Sequence, residues 1–549
     1  MPFITAGARF REFKRLRSEP LLLALILIII AFTCYFVIWP VWRLITIAEF
    51  SEYSVLLRTP RWIRALWNSL YMMVVSTASC TFVAFVFAYT ITRLDVPLKK
   101  LFRFIALLPV VSPPFIVALS YILLFGVQGL VTKKLLGLQT DIYGRFGLWI
   151  VQTVTFFPYA FSVIYGVISK ISPNLEYAAY NMGASRLRVF KDVLWPLCRP
   201  GVAGGALMAA IQVLTDFGNP IMIGGDLALL PTEAYMQVVG WYDMKTAAIL
   251  AVLLLVPSFV IFIIQRFWVG KRSYVTVTGK EVSLAPYPPH PLVKWGMFAF
   301  CLFVSLFVLL VYGTLFYGSF AKTIGYDWSF TVANYSYVWE KINQIVNSIR
   351  FSAISAFCAA FLGMILAYIV HKKQVGINRF LDFLAVVPSA VPGMFLGLSY
   401  VIAFNTPPVK LTNTSFIMVL ALMFWNLPTC YSASVAGIQQ ISNSVEDAAL
   451  NLGADSFRSF RDIMLPLLRI PFISGFVLSF LRSVTCLSVI IFLYAPSTAV
   501  GTVAVLGLVS YGQWGAAAGF TVVLITIAFA VLYAADAVLK KLGASLNLL

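Results

Sequence analysis

Charged side chains are scarce in this sequence. Only 11% of its 549 residues are Asp, Glu, Lys or Arg, whereas a soluble domain has about 25%. Hydrophobic residues make up 61% of the chain, and the mean hydropathy is +0.91. These values exclude a soluble globular protein and predict an all-α protein that crosses a membrane many times.

The residues that usually build catalytic centres are also few. The two histidines, His290 and His371, fall in basic loops, and the seven cysteines show no CxxC spacing. We therefore predict no disulfide framework, no metal site and no nucleophilic centre that relies on histidine. No GxxxxGK[ST] loop occurs either, since the nearest string, TGKE at 278–281, lacks the first glycine and the hydroxyl. We expect a chain that is not an enzyme and binds no cofactor of its own.

Long apolar runs are abundant instead. A spanning helix needs about 20 mostly apolar residues, and twelve runs satisfy this. They lie near 21–41, 69–91, 104–126, 146–167, 200–219, 245–267, 294–316, 348–370, 381–404, 414–436, 469–493 and 514–538.

Basic residues exceed acidic ones, giving a formal charge of +19. If the N-terminus is cytosolic, 27 of the 40 lysines and arginines fall on the cytosolic side and 12 on the outer side, and Arg482 lies within a span. This distribution follows the positive-inside rule. It predicts that both termini are cytosolic, and it explains the charge without a nucleic-acid partner.

The sequence contains a long internal repeat. Its clearest part is a ten-residue cassette, EYAAYNMGAS at 176–185, which returns as EDAALNLGAD at 446–455, an offset of 270. Upstream prolines repeat at an offset of 279, because the loop after the third span is nine residues longer in the first half. We predict two parallel six-span halves, 1–267 and 294–549, joined by a cytosolic linker at 268–293.

Each cassette is predicted to form a short capped helix on the cytosolic side. The two helices are expected within about 173–190 and 443–460. Ser172 suits the N-cap before Pro173, and Ser444 can form a capping box with Asp447. The paired alanines predict a small-residue surface. A membrane-surface connector explains one such helix, whereas two copies in register favour docking to a partner with two-fold symmetry.

The cassettes and the residues after them resemble a known signature. Glu-Ala-Ala, three residues, Gly, nine residues, Ile, one residue and Leu-Pro form the EAA motif of permease subunits of binding-protein-dependent ABC importers. The second half matches it, with Asp447 inserted, and the first half has Val193 and Trp195 where the signature has Ile and Leu. In that family the segment is the coupling helix that docks to the ATPase. The resemblance assigns this role to Glu176, Ala178, Ala179, Gly183, Pro196, Glu446, Ala448, Ala449, Gly453 and Pro466. We expect the glycines to favour a bend and the prolines to stop each helix before the next span.

The resemblance implies a type I ABC importer permease in the bacterial cytoplasmic (inner) membrane. It also implies two copies of an ABC ATPase subunit, which bind the ATP and Mg, together with a periplasmic or lipid-anchored binding protein and the surrounding membrane lipid. A fused chain with twelve spans is similar to the ferric-iron subfamily, so ferric iron is the favoured solute. A phosphonate, a sugar phosphate or thiamine stays open. A secondary transporter of the major-facilitator kind is the more distant alternative.

Polar residues within the spans are candidates for a translocation path, since charge in a span is costly and often functional. Arg482 occupies the position of Gln212 in the other half, and Asp216 and Asn219 follow Gln212 closely. A structural ion pair between Arg482 and Asp216 is the alternative interpretation. An arginine in the path suits an anionic solute better than a bare cation.

Overall fold

The computed structural model describes residues 20–269 and 290–543, apart from residues 57, 111, 114, 139, 140, 374, 408 and 454. Most of the predicted linker at 268–293 therefore lies outside the described residues. Among those described, ten helices are long and apolar enough to cross a membrane, and two further helix pairs are sharply bent. If each pair counts as one span, the total is the twelve that the sequence predicts.

The chain forms two compact units. The first unit contains Phe50–Glu340 and Val505–Val523. Its helices are Phe50–Leu56, Pro60–Arg93, Lys99–Leu107, Phe115–Phe125, Arg145–Ile168, Pro173–Asn181, Arg186–Val189, Trp195–Leu214, Gly218–Ile223, Leu230–Val239, Met244–Ile263, Pro291–Ser319 and Ser336–Glu340. Its short 3-10 or π turns are Leu108–Val110, Leu130–Leu135, Phe190–Leu194, Ile264–Val269 and Ala333–Tyr335, and its strands, Ala321–Thr323 and Asp327–Phe330, form an antiparallel pair.

The second unit contains the described residues up to Glu49, then Lys341–Ala504 and the chain after Leu524. Its helices are Pro20–Thr33, Trp39–Thr46, Ile342–Lys372, Asn378–Val386, Gly393–Phe404, Ser415–Ile438, Asn443–Asn451, Ser456–Ser459, Leu465–Leu467 and Arg469–Val484, with turns at Cys34–Ile38, Val387–Ala390, Phe460–Met464 and Pro496–Thr498. The last two helices, Gly501–Ser510 and Trp514–Lys541, contribute residues to both units.

Helix Pro60–Arg93, here called the first long helix, is central to the first unit. It packs against Arg145–Ile168 and Trp195–Leu214. Buried aromatic side chains fill the space between the helices, with ring centroids of Phe87 and Phe157 5.6 Å apart. Within membrane spans such rings exchange contacts with lipid for contacts with protein, so close van der Waals packing is the main favourable term here.

Helix Ile342–Lys372, the second long helix, has the same place in the second unit. It packs against Ser415–Ile438 and Arg469–Val484. The repeat in the sequence therefore becomes a repeat of the same three-helix arrangement within each unit.

The first helix of each sequence half belongs to the unit of the other half. Helix Pro291–Ser319 packs in the first unit, where the ring of Phe298 lies 5.6 Å from that of Phe102. The N-terminal helical stretch packs in the second unit, where the Tyr400 hydroxyl donates a hydrogen bond of 2.6 Å to the carbonyl of Phe36. That carbonyl has no α-helical donor, because residue 40 is a proline. The compact units thus differ from the predicted halves by an exchange of their first helices and by Val505–Val523, which belongs to the first unit.

The third span of each half is broken where the sequence predicts a continuous run. In the first unit the helix stops before Ser112 and Pro113, and a new helix begins at Phe115. In the second unit Asn378–Ala390 and Gly393–Phe404 meet at 103° around Pro392. Proline lacks an N–H and restricts the residue before it to extended conformations, so both breaks follow from the repeated prolines.

Candidate coupling helices and polar residues of the spans

The first cassette forms helix Pro173–Asn181, here called the first cassette helix. Ser172 is its N-cap and accepts a hydrogen bond from the backbone N–H of Asn174 at 3.3 Å, as predicted. The chain leaves the helix through Gly183, whose φ of +85° suits glycine, and no atom lies within 4 Å of a Cβ placed there. The glycine is therefore required by backbone conformation and not by crowding.

The second cassette forms helix Asn443–Asn451, the second cassette helix. Its cap is Ser442, whose hydroxyl accepts from the N–H of Ser444 at 3.3 Å. The prediction that Ser444 caps this helix was wrong by two residues, since Ser442 occupies the position of Ser172 in the repeat. Gly453 has a φ of +82°, close to that of its counterpart. The side chains of Glu446 and Asp447 lie outside the described residues.

The paired alanines divide their roles in the same way in both cassettes. Ala179 and Ala449 are buried, whereas Ala178 and Ala448 are exposed. One alanine of each pair therefore packs against the helix's own unit, and the other exposes a small side chain on the surface of the cassette helix.

Each cassette also exposes three large apolar side chains that sequence reasoning missed. They occupy equivalent positions of the repeat, and the pairs are Leu175 and Val445, Met182 and Leu452, and Leu187 and Phe457. The most exposed are Met182 at 82% and Leu452 at 88%. The signal was present in the sequence, because an apolar residue recurs at the repeat offset in every pair.

Glu176 does not face outward. Its side chain is 7% exposed, and its carboxylate lies 3.3 Å from the guanidinium of Arg93, at the end of the first long helix. Burial raises the pKa of the Glu176 carboxyl above its ordinary value, and the charge of Arg93 offsets only part of this rise. A role of Glu176 in docking is therefore indirect, through the placement of the cassette helix.

The prolines after the cassettes do not stop the helices, and this prediction was wrong. Pro196 lies in the first turn of Trp195–Leu214, and the stretch Arg186–Leu214 is continuous through a π-helical turn at Phe190–Leu194. A π turn at Phe460–Met464 precedes Pro466 in the same way, and the chain then bends by 69° near Leu468. A wider turn removes the need for the hydrogen bond that proline cannot donate.

Asp216 lies in a buried break after Trp195–Leu214. Its carboxylate accepts hydrogen bonds from the Gln152 side chain at 3.0 Å, and from the Asn219 side chain at 3.0 Å and backbone N–H at 3.2 Å. Gln152 in turn accepts from the Ser76 hydroxyl at 2.9 Å. All these partners are neutral, and the Oδ1 atom of Asn219 is buried without a hydrogen bond.

Arg482 is half-buried and contacts helix Ser415–Ile438. Its guanidinium lies 4.4 Å from the ring centroid of Trp425 and donates to the hydroxyl of Thr429. The cation–π contact and the hydroxyl stabilise the charge within an apolar span, and no ion pair of Arg482 is seen in the part of the chain that the structure describes. Gln212, the equivalent residue of the first half, is also half-buried.

The structure brings some of the predicted path residues into contact and shows further residues beside them that the sequence did not indicate. It brings Asp216 and Asn219 together, adds Gln152 and Ser76 to them, and sets Trp425 beside Arg482. These additions are uncharged and lie on other helices, so no spacing in the sequence points to them. In the described ranges, no group of three or more His, Cys, Asp or Glu side chains could hold a metal ion.

Comparison with known proteins identifies the family of this chain. The model of the family described as "Binding-protein-dependent transport system inner membrane component" matches residues 80–274 and 359–543, once in each half. The chain belongs to this family. Membership excludes the secondary-transporter alternative and makes the chain a multi-pass inner-membrane permease.

The permease is similar to several transport permeases. A ferric transport system permease protein, FbpB, of Actinobacillus pleuropneumoniae is 31% identical over 95% of this chain and 79% of its own. A putative ferric transport system permease protein of Haemophilus influenzae is 32% identical over 89% and 80%. A putative 2-aminoethylphosphonate transport permease of Salmonella paratyphi A is 26% identical, over 37% of this chain and 81% of its own.

Proposed function

We propose that this permease carries ferric iron into the cell as part of an ATP-driven importer. The observation that supports this most is its similarity, over 95% of its length, to a protein named as a ferric transport permease. In this proposal an external binding protein delivers the iron. Two copies of a separate ATPase subunit bind the ATP and Mg and dock at the two cassettes.

The exposed apolar side chains support docking at the cassettes. Several large apolar side chains exposed within one short segment are typical of an interaction site. Equivalent positions carry it in both halves, as a partner made of two identical subunits requires. Basic residues flank it in both cases, with Arg188 and Lys191 matched by Arg458 and Arg461, so the partner surface should carry acidic residues at its rim.

We propose that Gln212, Asp216, Asn219 and Arg482 line or border the translocation path. The buried Asp216 carboxylate has only neutral hydrogen-bond partners among the described residues, so its negative charge is available to a passing cation. Arg482 is held by Trp425 and Thr429. Its positive charge favours an anion that accompanies the metal.

Uptake of radioactive iron tests the substrate. The complete importer, in membrane vesicles with its iron-loaded binding protein and internal ATP, should accumulate iron, and an excess of 2-aminoethylphosphonate, sugar phosphate or thiamine should not compete. Accumulation of one of these solutes without iron uptake would overturn the ferric assignment and leave the permease function intact.

Cysteine labelling tests the proposed orientation, with both termini and the linker cytosolic. Ser273→Cys and Gln139→Cys should react with impermeant reagents from opposite sides. Labelling from one side would contradict the twelve-span arrangement.

A further inference from the structure

The cytosolic end of the first long helix holds the chain just before the first cassette helix. Arg93, its last residue, donates hydrogen bonds to the carbonyls of Ile171 at 2.7 Å and Ile168 at 3.3 Å, in addition to its ion pair with Glu176. These carbonyls lie at and just after the end of helix Arg145–Ile168, where backbone acceptors lack helical donors and a cation is favourable. The Arg93 side chain is 5% exposed, so water competes little for these bonds.

The second unit repeats this contact with a different side chain. Lys372, the last residue of the second long helix, donates to the carbonyl of Ile441 at 2.8 Å. Lys372 lies 279 residues after Arg93, which is the upstream offset of the repeat. Ile441 lies 270 residues after Ile171, which is the offset of the cassettes. The two bonds are therefore equivalent, although one cation is arginine and the other lysine.

A second contact holds the chain just after each cassette helix. The ring of Tyr89 packs against that of Phe190 with centroids 6.1 Å apart, and the ring of Tyr368 packs against that of Phe460 at 5.1 Å. These pairs obey the same two offsets. Phe190 and Phe460 each begin the π turn that leads into the next span.

Each tyrosine lies four residues before the cation, so the two side chains occupy one face of the long helix, one turn apart. We propose that these two residues form a clamp that grips the cassette segment at both ends. The clamp makes the long helix and the cassette helix move as one body. This proposal rests on the proposed docking of an ATPase at the cassettes, and it assigns Tyr89, Arg93, Tyr368 and Lys372 as positioning residues for coupling.

The test compares binding of the ATPase with coupling to it. In the complete importer, Arg93→Gln together with Lys372→Gln should leave co-purification with the ATPase within about twofold of the unaltered protein. The ratio of iron transported to ATP hydrolysed should fall at least about fivefold. Arg93→Lys should keep the ratio near normal, because lysine serves in the other half. Lys100→Gln, which removes an exposed charge from the same region, is the matched control.

An unchanged ratio in the double glutamine variant would overturn the clamp. If the unaltered chain does not co-purify with the ATPase, the proposed function itself is contradicted. Co-purification therefore distinguishes that outcome from a failure of the clamp. If the double variant does not accumulate, Tyr89→Leu with Tyr368→Leu keeps both cations and removes both ring contacts. The ratio of iron transported to ATP hydrolysed is then measured in this variant. The clamp predicts a lower ratio, whereas a purely structural role predicts less protein with a normal ratio.

Discussion

The Asp216 network offers the sharpest separation of a structural role from a transport role. Asp216→Ala removes one acceptor group and leaves three donors, on Gln152 and Asn219, without their partner. Both residues are at most 1% exposed, so water cannot easily replace the carboxylate. Each buried donor left unsatisfied costs about 1–3 kcal/mol. We expect the free energy of unfolding to fall by about 3 kcal/mol or more, allowing for partial relaxation.

Asp216→Asn should cost much less. The new amide can accept from the backbone N–H of Asn219, and the Gln152 amide can rotate so that its oxygen accepts from the new NH₂. The Asn219 side-chain amide also donates to the replaced oxygen. It can rotate so that its Oδ1, which has no hydrogen bond to the described residues of the native protein, accepts the second N–H of the new amide; its nitrogen then takes the place of the unpaired oxygen. The rotated Gln152 nitrogen then donates to the Ser76 hydroxyl, which can also act as an acceptor. We expect a loss below about 1 kcal/mol, although the negative charge is gone.

Equilibrium unfolding in mixed micelles measures these differences. A thiol-reactive probe follows exposure of Cys80, which is fully buried in the same unit. Iron uptake per folded molecule is measured in parallel, and Asp216→Asn should lower it if the carboxylate lines the path. Equal destabilisation by both substitutions would refute the hydrogen-bond reasoning, and full stability of Asp216→Ala would show that the network does not stabilise the fold.

Three further predictions concern single side chains. Gly183→Ala and Gly453→Ala should each destabilise the protein by about 1–2 kcal/mol, because a Cβ is strained at a left-handed φ. Gly166→Ala is the control, since Gly166 lies in a helix with free space around it, and it should not destabilise the protein. Unfolding titrations of the three variants measure the difference. Because burial raises the pKa of Glu176, its proton stabilises the native state below the ordinary glutamate pKa, and this contribution is lost as pH rises through the raised value. Glu176→Gln removes this titration, so unfolding measured from about pH 4 to about pH 8 should show the variant gaining stability relative to the native protein as pH rises, and parallel curves would contradict it. Arg482→Gln, which copies the other half, should change iron uptake and leave the amount of folded protein unaltered; lost folding with normal transport per molecule would mark Arg482 as structural.

The sequence alone predicted the features that depend on local patterns. The repeat offsets, the cap at Ser172 and the glycine bends follow from residue types with strong conformational preferences. The cap of the second cassette was misplaced because three serine or asparagine residues precede Glu446, and propensity alone does not rank them.

Other features depend on contacts that local pattern does not encode. The exchange of first helices could not be predicted, because those helices are apolar on all sides and show no face that selects a partner. The bends in the third spans could have been inferred from Pro113 and Pro392, but hydropathy alone hides a break inside an apolar run. Gln152 joins Asp216 across 64 residues of chain, a distance over which composition carries no signal.

Crosslinking from the cassettes tests the central claim most directly. A photoreactive amino acid at Met182 and, separately, at Leu452 should crosslink to the ATPase subunit in the complete importer, since both side chains are more than four-fifths exposed at the ends of the cassette helices. Tyr326 is 92% exposed in the strand hairpin between Pro291–Ser319 and Ile342–Lys372. With the linker cytosolic, this hairpin follows an outward-crossing span and should lie on the outer side, so the same amino acid at Tyr326 should give no such product. Crosslinks from both cassettes and none from the hairpin are the predicted result. Failure of both cassette positions to crosslink, in a complex that transports iron, would contradict the account.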